Sequence, residues 1–410
     1  MPLASDDALS LAGLQQPEVR ADPYLLYQRL RSADPVHWDA PLGFWVLTRY
    51  ADVVAALHDT RFSKAQGMAA ALERFPDDER ATAAPMYRFF SKQLLYVDPP
   101  YHTQLKLLMN KAFTPRAVNV MRPHIEHIVD ELLDAATTGG RMDVIQEFAY
   151  PLPALVILTM LGLPAGECRR FKDWSDDYAA TLGVVRRVPL AKMEKAGRSM
   201  AGFGAYIDNF QASHCLLGND DLLTAMFNAE ADGNRLSREE LVANAMLLLA
   251  AGHETTTNLI GNGLLALLRH PDQMQRLRDR LELMPDAIEE MMRYDAPVQV
   301  VWRVATEDIE IGGKLIRQGQ MVNIMLGAAN RDPEQFPDPD RFDIGRTATR
   351  QVGLSLGTHF CLGAPLGRLE GQIAFAALLR RCPGLRLASE TLEYNEQPVF
   401  RALSALPVAI

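Results

Sequence analysis

The sequence predicts a mainly α-helical single domain with a minor β portion. Three observations predict it. Apolar residues recur at helical spacing over most of the chain, strand patterns are few and late, and no repeat, low-complexity tract or linker divides the 410 residues. Nearly half of the residues are apolar, enough for a large buried core. Residues 1–410 therefore read as one domain, with residues 1–20 as a loose N-terminal segment.

The first clear helix lies where Ile125, Ile128, Val129, Leu132 and Leu133 form one apolar stripe, closed by Gly139 and Gly140. The longest begins at Ser237. Ser237 and Glu240 make an S-x-x-E capping box, and Leu236 and Leu241 are placed for a hydrophobic staple. No proline interrupts it before Pro271, which predicts a rod of roughly 50 Å. From Val242 to Ala251 it is apolar on nearly every side, so it should be buried. Ile309 and Ile311, Gly312-Gly313, then Leu315 and Ile316 read as a hairpin, and Met321, Val322 and Ile324 as a further strand. Residues 330–346 are rich in proline and charge and read as irregular.

Composition limits the partners. Lys and Arg number 42 against 51 Asp and Glu, a net charge of −9, which argues against nucleic acid or an anionic membrane. The four cysteines (Cys168, Cys215, Cys361 and Cys382) show no CxxC and fit a reducing cytoplasm. No signal peptide is recognisable, and the apolar runs around Leu155–Leu163 and up to Ala251 are too short to span a bilayer.

Two segments carry chemistry. Around Cys361 the spacing is Gly357-x-His359-x-Cys361-x-Gly363, followed by a helix. Glycines let backbone approach a sulfur closely, and a helix N-terminus directs N–H groups and a positive dipole end at it, favouring a thiolate. Read alone, Cys361 is equally compatible with a buried, inert thiol. Midway along the long helix, Ala251-Gly252-His253-Glu254-Thr255-Thr256-Thr257 sets a carboxylate and three hydroxyls in apolar surroundings. Threonines there can back-bond to carbonyls and open space beside Gly252. His253-Glu254 begins an HExxH zinc motif, but position 257 is Thr257, which excludes it. A solvated polar patch is the plain alternative.

The cysteine segment resembles the haem-binding loop of cytochromes P-450, with Cys361 at the axial position. Leu354-Ser355 departs from the family's Phe-Gly, a change expected to alter shielding of the sulfur. AGHET resembles the family's AGx(D/E)T, which implies that Glu254 and Thr255 relay protons during oxygen cleavage, with His253 at a variable position. Glu290 and Arg293, an ordinary i,i+3 pair when taken alone, resemble the ExxR element that braces the cysteine loop. His102, Lys106 (where the family has arginine), Arg303 and His359 match the cations that meet the haem propionates.

The resemblance covers most of the chain and implies the P-450 fold, with the long central helix over haem b. It implies a soluble bacterial monooxygenase inserting one atom of O2 into a C–H bond. Electrons come from NAD(P)H through ferredoxin reductase and a ferredoxin docking near Lys106, Lys111, Arg116 and Arg368. A monomer is expected. The likeness is greatest to enzymes tailoring polyketides, macrolides and acyl chains in antibiotic biosynthesis. The expected pocket comprises the Tyr87–Leu95 loop, Leu248, Ala251, Val298, Val300, Val301 and Phe400. Alternatives left open are epoxidation, C–C cleavage, coupling or peroxygenation of a fatty-acyl or carrier-bound substrate, and a non-catalytic haem-binding sensor.

Overall fold

The computed structural model describes residues 9–73, 75–110, 113–136, 139–182, 188–214, 221–228, 230–231, 234–347, 350–389 and 391–410. The helices that frame the site are α1 (Asp77–Phe90), α2 (Tyr101–Asn110), α3 (Arg122–Ala136), α4 (Pro151–Leu161), α5 (Cys168–Ala179), α6 (Leu190–His214), α7 (Arg238–Arg269), α8 (Met284–Tyr294) and α9 (Ala364–Arg381). The strands of the main sheet and its neighbouring hairpin are β1 (Val36–Asp39), β2 (Phe44–Leu47), β3 (Phe62–Ser63), β4 (Val300–Ala305), β5 (Ile309–Ile311), β6 (Lys314–Ile316) and β7 (Met321–Met325). A mainly helical domain with a small β portion is thus what the chain forms.

The central rod is α7, 32 residues long and buried along most of its length. Its start follows the sequence reading. Ser237 Oγ accepts from the Glu240 amide at 3.2 Å, and the Glu240 carboxylate accepts from the Ser237 amide at 2.6 Å. Packing against α4 depends on Gly252, where a Cβ would lie 2.8 Å from Ile157 Cγ1. The main sheet runs β1-β2-β7-β4-β3, with β2 and β7 parallel and the other pairs antiparallel. β5 and β6 form the expected hairpin around Gly312 and Gly313, both at positive φ. One hydrophobic cluster extends from Leu11 to Val408, and a smaller one lies beside the main sheet.

Residues 1–8 lie outside the described residues, but the segment after them does not trail loosely as expected. Leu11 and Leu14 are buried, and Asp39 accepts hydrogen bonds from Ser10 Oγ and the Leu11 amide, both at 2.8 Å. A buried carboxylate needs such donors, and this one binds the segment to β1. Among the described residues, no helix is long and apolar enough to cross a membrane.

Candidate active site

Among the described residues from 330 to Cys361 there is no strand, so side chains must hold this segment in place. Glu290 and Arg293 on α8, both fully buried, do so. They pair at 2.7 Å, and Arg293 also donates to the carbonyls of Asn330 (2.9 Å), Pro339 (2.8 Å) and Arg341 (3.2 Å). Glu290 in turn accepts from the Asp343 amide at 2.9 Å and meets Arg346 at 3.3 Å. Every strong donor and acceptor of the pair is engaged, as a buried pair requires.

The loop then turns sharply. Ser355 and Gly357 take positive φ (61° and 65°), and a Cβ on Gly357 would lie 2.7 Å from the Leu57 carbonyl oxygen. Ser355 occupies a conformation suited to glycine, and its buried hydroxyl has no hydrogen-bond partner. Beyond it, Cys361 Sγ opens onto a cavity of about 600 Å³. Burial pushes its thiol pKa up. The amide N–H groups of Gly363 and Ala364 at the start of α9 and the charges of Arg368 and Lys106 pull it down. Those are the influences that stabilise a thiolate once a metal binds it.

The same cavity is lined by Gly252, Glu254 and Thr255 from the middle of α7. Thr255 Oγ1 donates to the Ala251 carbonyl at 3.0 Å, the back-bond expected from the sequence. Burial raises the Glu254 carboxyl pKa, partly offset by His253. His253 itself is buried outside the cavity lining, with its ring edge-on to Tyr150. Leu248, Ala251, Val298, Val300, Val301 and Phe400 all line the cavity, as do Tyr87, Phe90, Leu94 and Leu95. Tyr87 to Phe90 form the last turn of α1, where the sequence reading placed a loop.

His102, Lys106, Arg303 and His359 come together on one wall. The two imidazoles lie 4.5 Å apart, and Arg303 is buried on β4. The sequence reading missed Lys64, which is buried beside them over the Trp302 ring at 4.4 Å. Nothing local marks it, because a lysine after β3 looks like a surface residue until the fold encloses it. Burial and the neighbouring positive charges lower His102 to about 4 and His359 to about 2. Burial brings Arg303 to about 10 and, helped by Arg303, drives Lys64 well down. A cluster of buried nitrogen donors around the Arg303 guanidinium suits a ligand with two carboxylates, and haem has two.

Two of the expected groups have competing contacts. Lys106 lines the cavity but is also held by the cysteine loop. Its Nζ donates to the Thr358 carbonyl at 2.7 Å and lies 3.3 Å from that of Phe360, because its compact ammonium satisfies the turn of the cysteine loop. The suggested basic docking cluster is also weaker than expected. Arg368 is paired with Glu289 at 2.5 Å, which offsets its charge, and Lys111 lies outside the described residues.

The family model for cytochrome P450 matches residues 63–390. Cytochrome P450 monooxygenase PikC of Streptomyces venezuelae is 39% identical over 417 residues, covering 99% of this chain and 95% of that one. The polyketide biosynthesis cytochrome P450 PksS of Bacillus subtilis is 35% identical over 402 residues, covering 96% and 97%. Among solved structures, P450BioI in complex with an acyl carrier protein ligated to hexadec-9Z-enoic acid superposes with a TM-score of 0.89. It is 34% identical and covers 96% of this chain and 99% of that one. The chain therefore belongs to the cytochrome P450 family, the haem-thiolate monooxygenases that use O2 and electrons from a redox partner.

Proposed function

We propose that this enzyme hydroxylates or epoxidises a large lipophilic molecule of the polyketide, macrolide or acyl-chain class, with a ferredoxin as electron donor. One observation carries the reading: the Cys361 sulfur and the Glu254–Thr255 pair line the same cavity, whose remaining walls are mostly apolar. Cys361 would hold the iron, and Lys64, His102, Arg303 and His359 would meet the propionates. Bound there, haem supplies the activation of O2 that lets one oxygen atom enter a C–H bond. Glu254 holds a proton readily because burial raises its pKa, and the Thr255 hydroxyl passes protons without admitting bulk water. Phe90, Leu248, Val298, Val301 and Phe400 exclude water and position an apolar substrate. PksS, named for polyketide biosynthesis, and P450BioI, with its acyl-carrier complex, fall in the same substrate range.

The first test is an absorption spectrum of the reduced protein under carbon monoxide. A strongly red-shifted Soret band is expected from thiolate ligation through Cys361. A band typical of histidine-ligated haem would overturn it. Turnover with a ferredoxin system and NAD(P)H, set against turnover with peroxide, then separates a monooxygenase from a peroxygenase. An inert protein in both would favour a sensor.

A further inference from the structure

The HExxH reading failed on the sequence because Thr257 stands where the second histidine belongs, yet the fold brings a different third ligand to His253 and Glu254. Where α5 packs on α7, Asp176, His253 and Glu254 each offer one ligand atom, all within 4.8 Å of one another. The ligands come from two helices and surround a histidine that is 2% exposed.

The state of that histidine can be read from its contacts. His253 Nδ1 lies 2.8 Å from the Leu249 carbonyl oxygen, which can only accept, so Nδ1 carries the proton. In the neutral ring Nε2 then carries the lone pair, and this buried atom has no hydrogen-bond partner. It lies 3.9 Å from Glu254 Oε1, beyond hydrogen-bond range. An imidazole held through Nδ1–H on a backbone carbonyl, with Nε2 facing carboxylates, is oriented as metal-binding histidines are.

We propose that Asp176, His253 and Glu254 form a zinc site, in which the metal takes His253 Nε2 and one oxygen from each carboxylate and holds Glu254 away from proton delivery. The donor set, one nitrogen and two oxygens, matches the chemistry zinc accepts. Zinc–ligand bonds of about 2.0–2.2 Å require the three atoms to close in by about 1 Å, which rotation of the two carboxylate side chains provides. Lys172 Nζ, 2.5 Å from Asp176 Oδ2, is the cation zinc must displace. It lies over the Tyr150 ring at 4.8 Å and is partly exposed, so it can swing into solvent. The effect on turnover rests on the relay role proposed for Glu254, whereas the binding does not.

The test is equilibrium dialysis of the haem-loaded enzyme against zinc, with bound metal measured, for wild type, His253→Asn, Asp176→Asn and Lys172→Gln. Retention of the carbon monoxide band shows that each variant is folded. Wild type should hold one zinc more than His253→Asn or Asp176→Asn. The affinity lost should exceed the roughly 10- to 100-fold that removal of an outer-shell partner costs. Lys172→Gln should bind zinc more tightly, and magnesium, which prefers octahedral oxygen ligands, should not substitute. Equal zinc binding by wild type and both ligand variants would overturn the site, as would equal retention of magnesium. In turnover, zinc should slow wild type and spare Asp176→Asn. Zinc bound through these residues without any slowing would leave the site standing and overturn the relay role of Glu254.

Discussion

The cysteine loop and the middle of α7 face one cavity from opposite origins. The loop is irregular, and its shape is imposed by others: the buried Glu290–Arg293 pair anchors the residues before it, and Lys106 caps the carbonyls of its last turn. The α7 segment is regular helix, and its proposed chemistry lies in side chains that depart from an apolar pattern, Glu254 and Thr255. One region needs external bracing to exist. The other exists regardless, and carries its function as a local violation of the rule that interiors are apolar. Damage should therefore appear as instability in the first and as misdirected chemistry in the second.

The strongest test of that contrast is Arg293→Ala. It leaves the buried Glu290 with only the Asp343 amide and Arg346 as partners and frees three carbonyls, so a loss of about 3–5 kcal/mol is expected. Thermal unfolding and haem content should fall together. A stable, haem-replete variant would mean that the loop holds its own shape. On α7, Glu254→Gln should leave stability and haem content near wild type and lower coupled turnover by about 100-fold. Thr255→Ala should divert reducing equivalents to peroxide with substrate binding intact. Unchanged coupling in both would remove the relay.

A smaller effect concerns Glu370 on α9, buried, with Oε2 unpartnered and its carboxyl held well above the usual range by burial. The native state keeps a proton that the unfolded chain releases near its pKa of about 4.3. Stability therefore falls as pH rises above that value, until the native carboxyl itself ionises. Glu370→Gln should flatten this slope and stabilise the protein by about 1–3 kcal/mol at pH 8, with little change at pH 4. Denaturant unfolding at the two pH values checks it. The smallest expected effect is Ser355→Gly. Removing a side chain from positive φ should gain about 1 kcal/mol, reduced by the freedom glycine adds to the unfolded chain. A loss of stability would show that the Ser355 side chain contributes to the loop.

Much of this was legible because the key groups are close in sequence. Gly357, His359, Cys361 and Gly363 fall within seven positions, Glu254 and Thr255 are adjacent, and Glu290 and Arg293 share a helical face. The capping box likewise fixed the start of α7 from four residues. Other parts needed the fold. Lys64 and Glu370 look like surface residues in the sequence, and only enclosure turns them into a buried amine and a buried acid. That Lys106 also holds the cysteine loop was not legible, because a flexible stem can serve either a ligand or a nearby carbonyl.

The sequence by itself determined the helical class, the long central helix and the residues proposed for oxygen chemistry, since each depends on spacing within a few turns. Only the tertiary structure decided which basic groups surround the cavity, how Arg293 binds the segment before the cysteine, and that Asp176 on α5 approaches His253 on α7. Such contacts join residues tens to hundreds of positions apart, and chain entropy leaves them undefined until the core has packed.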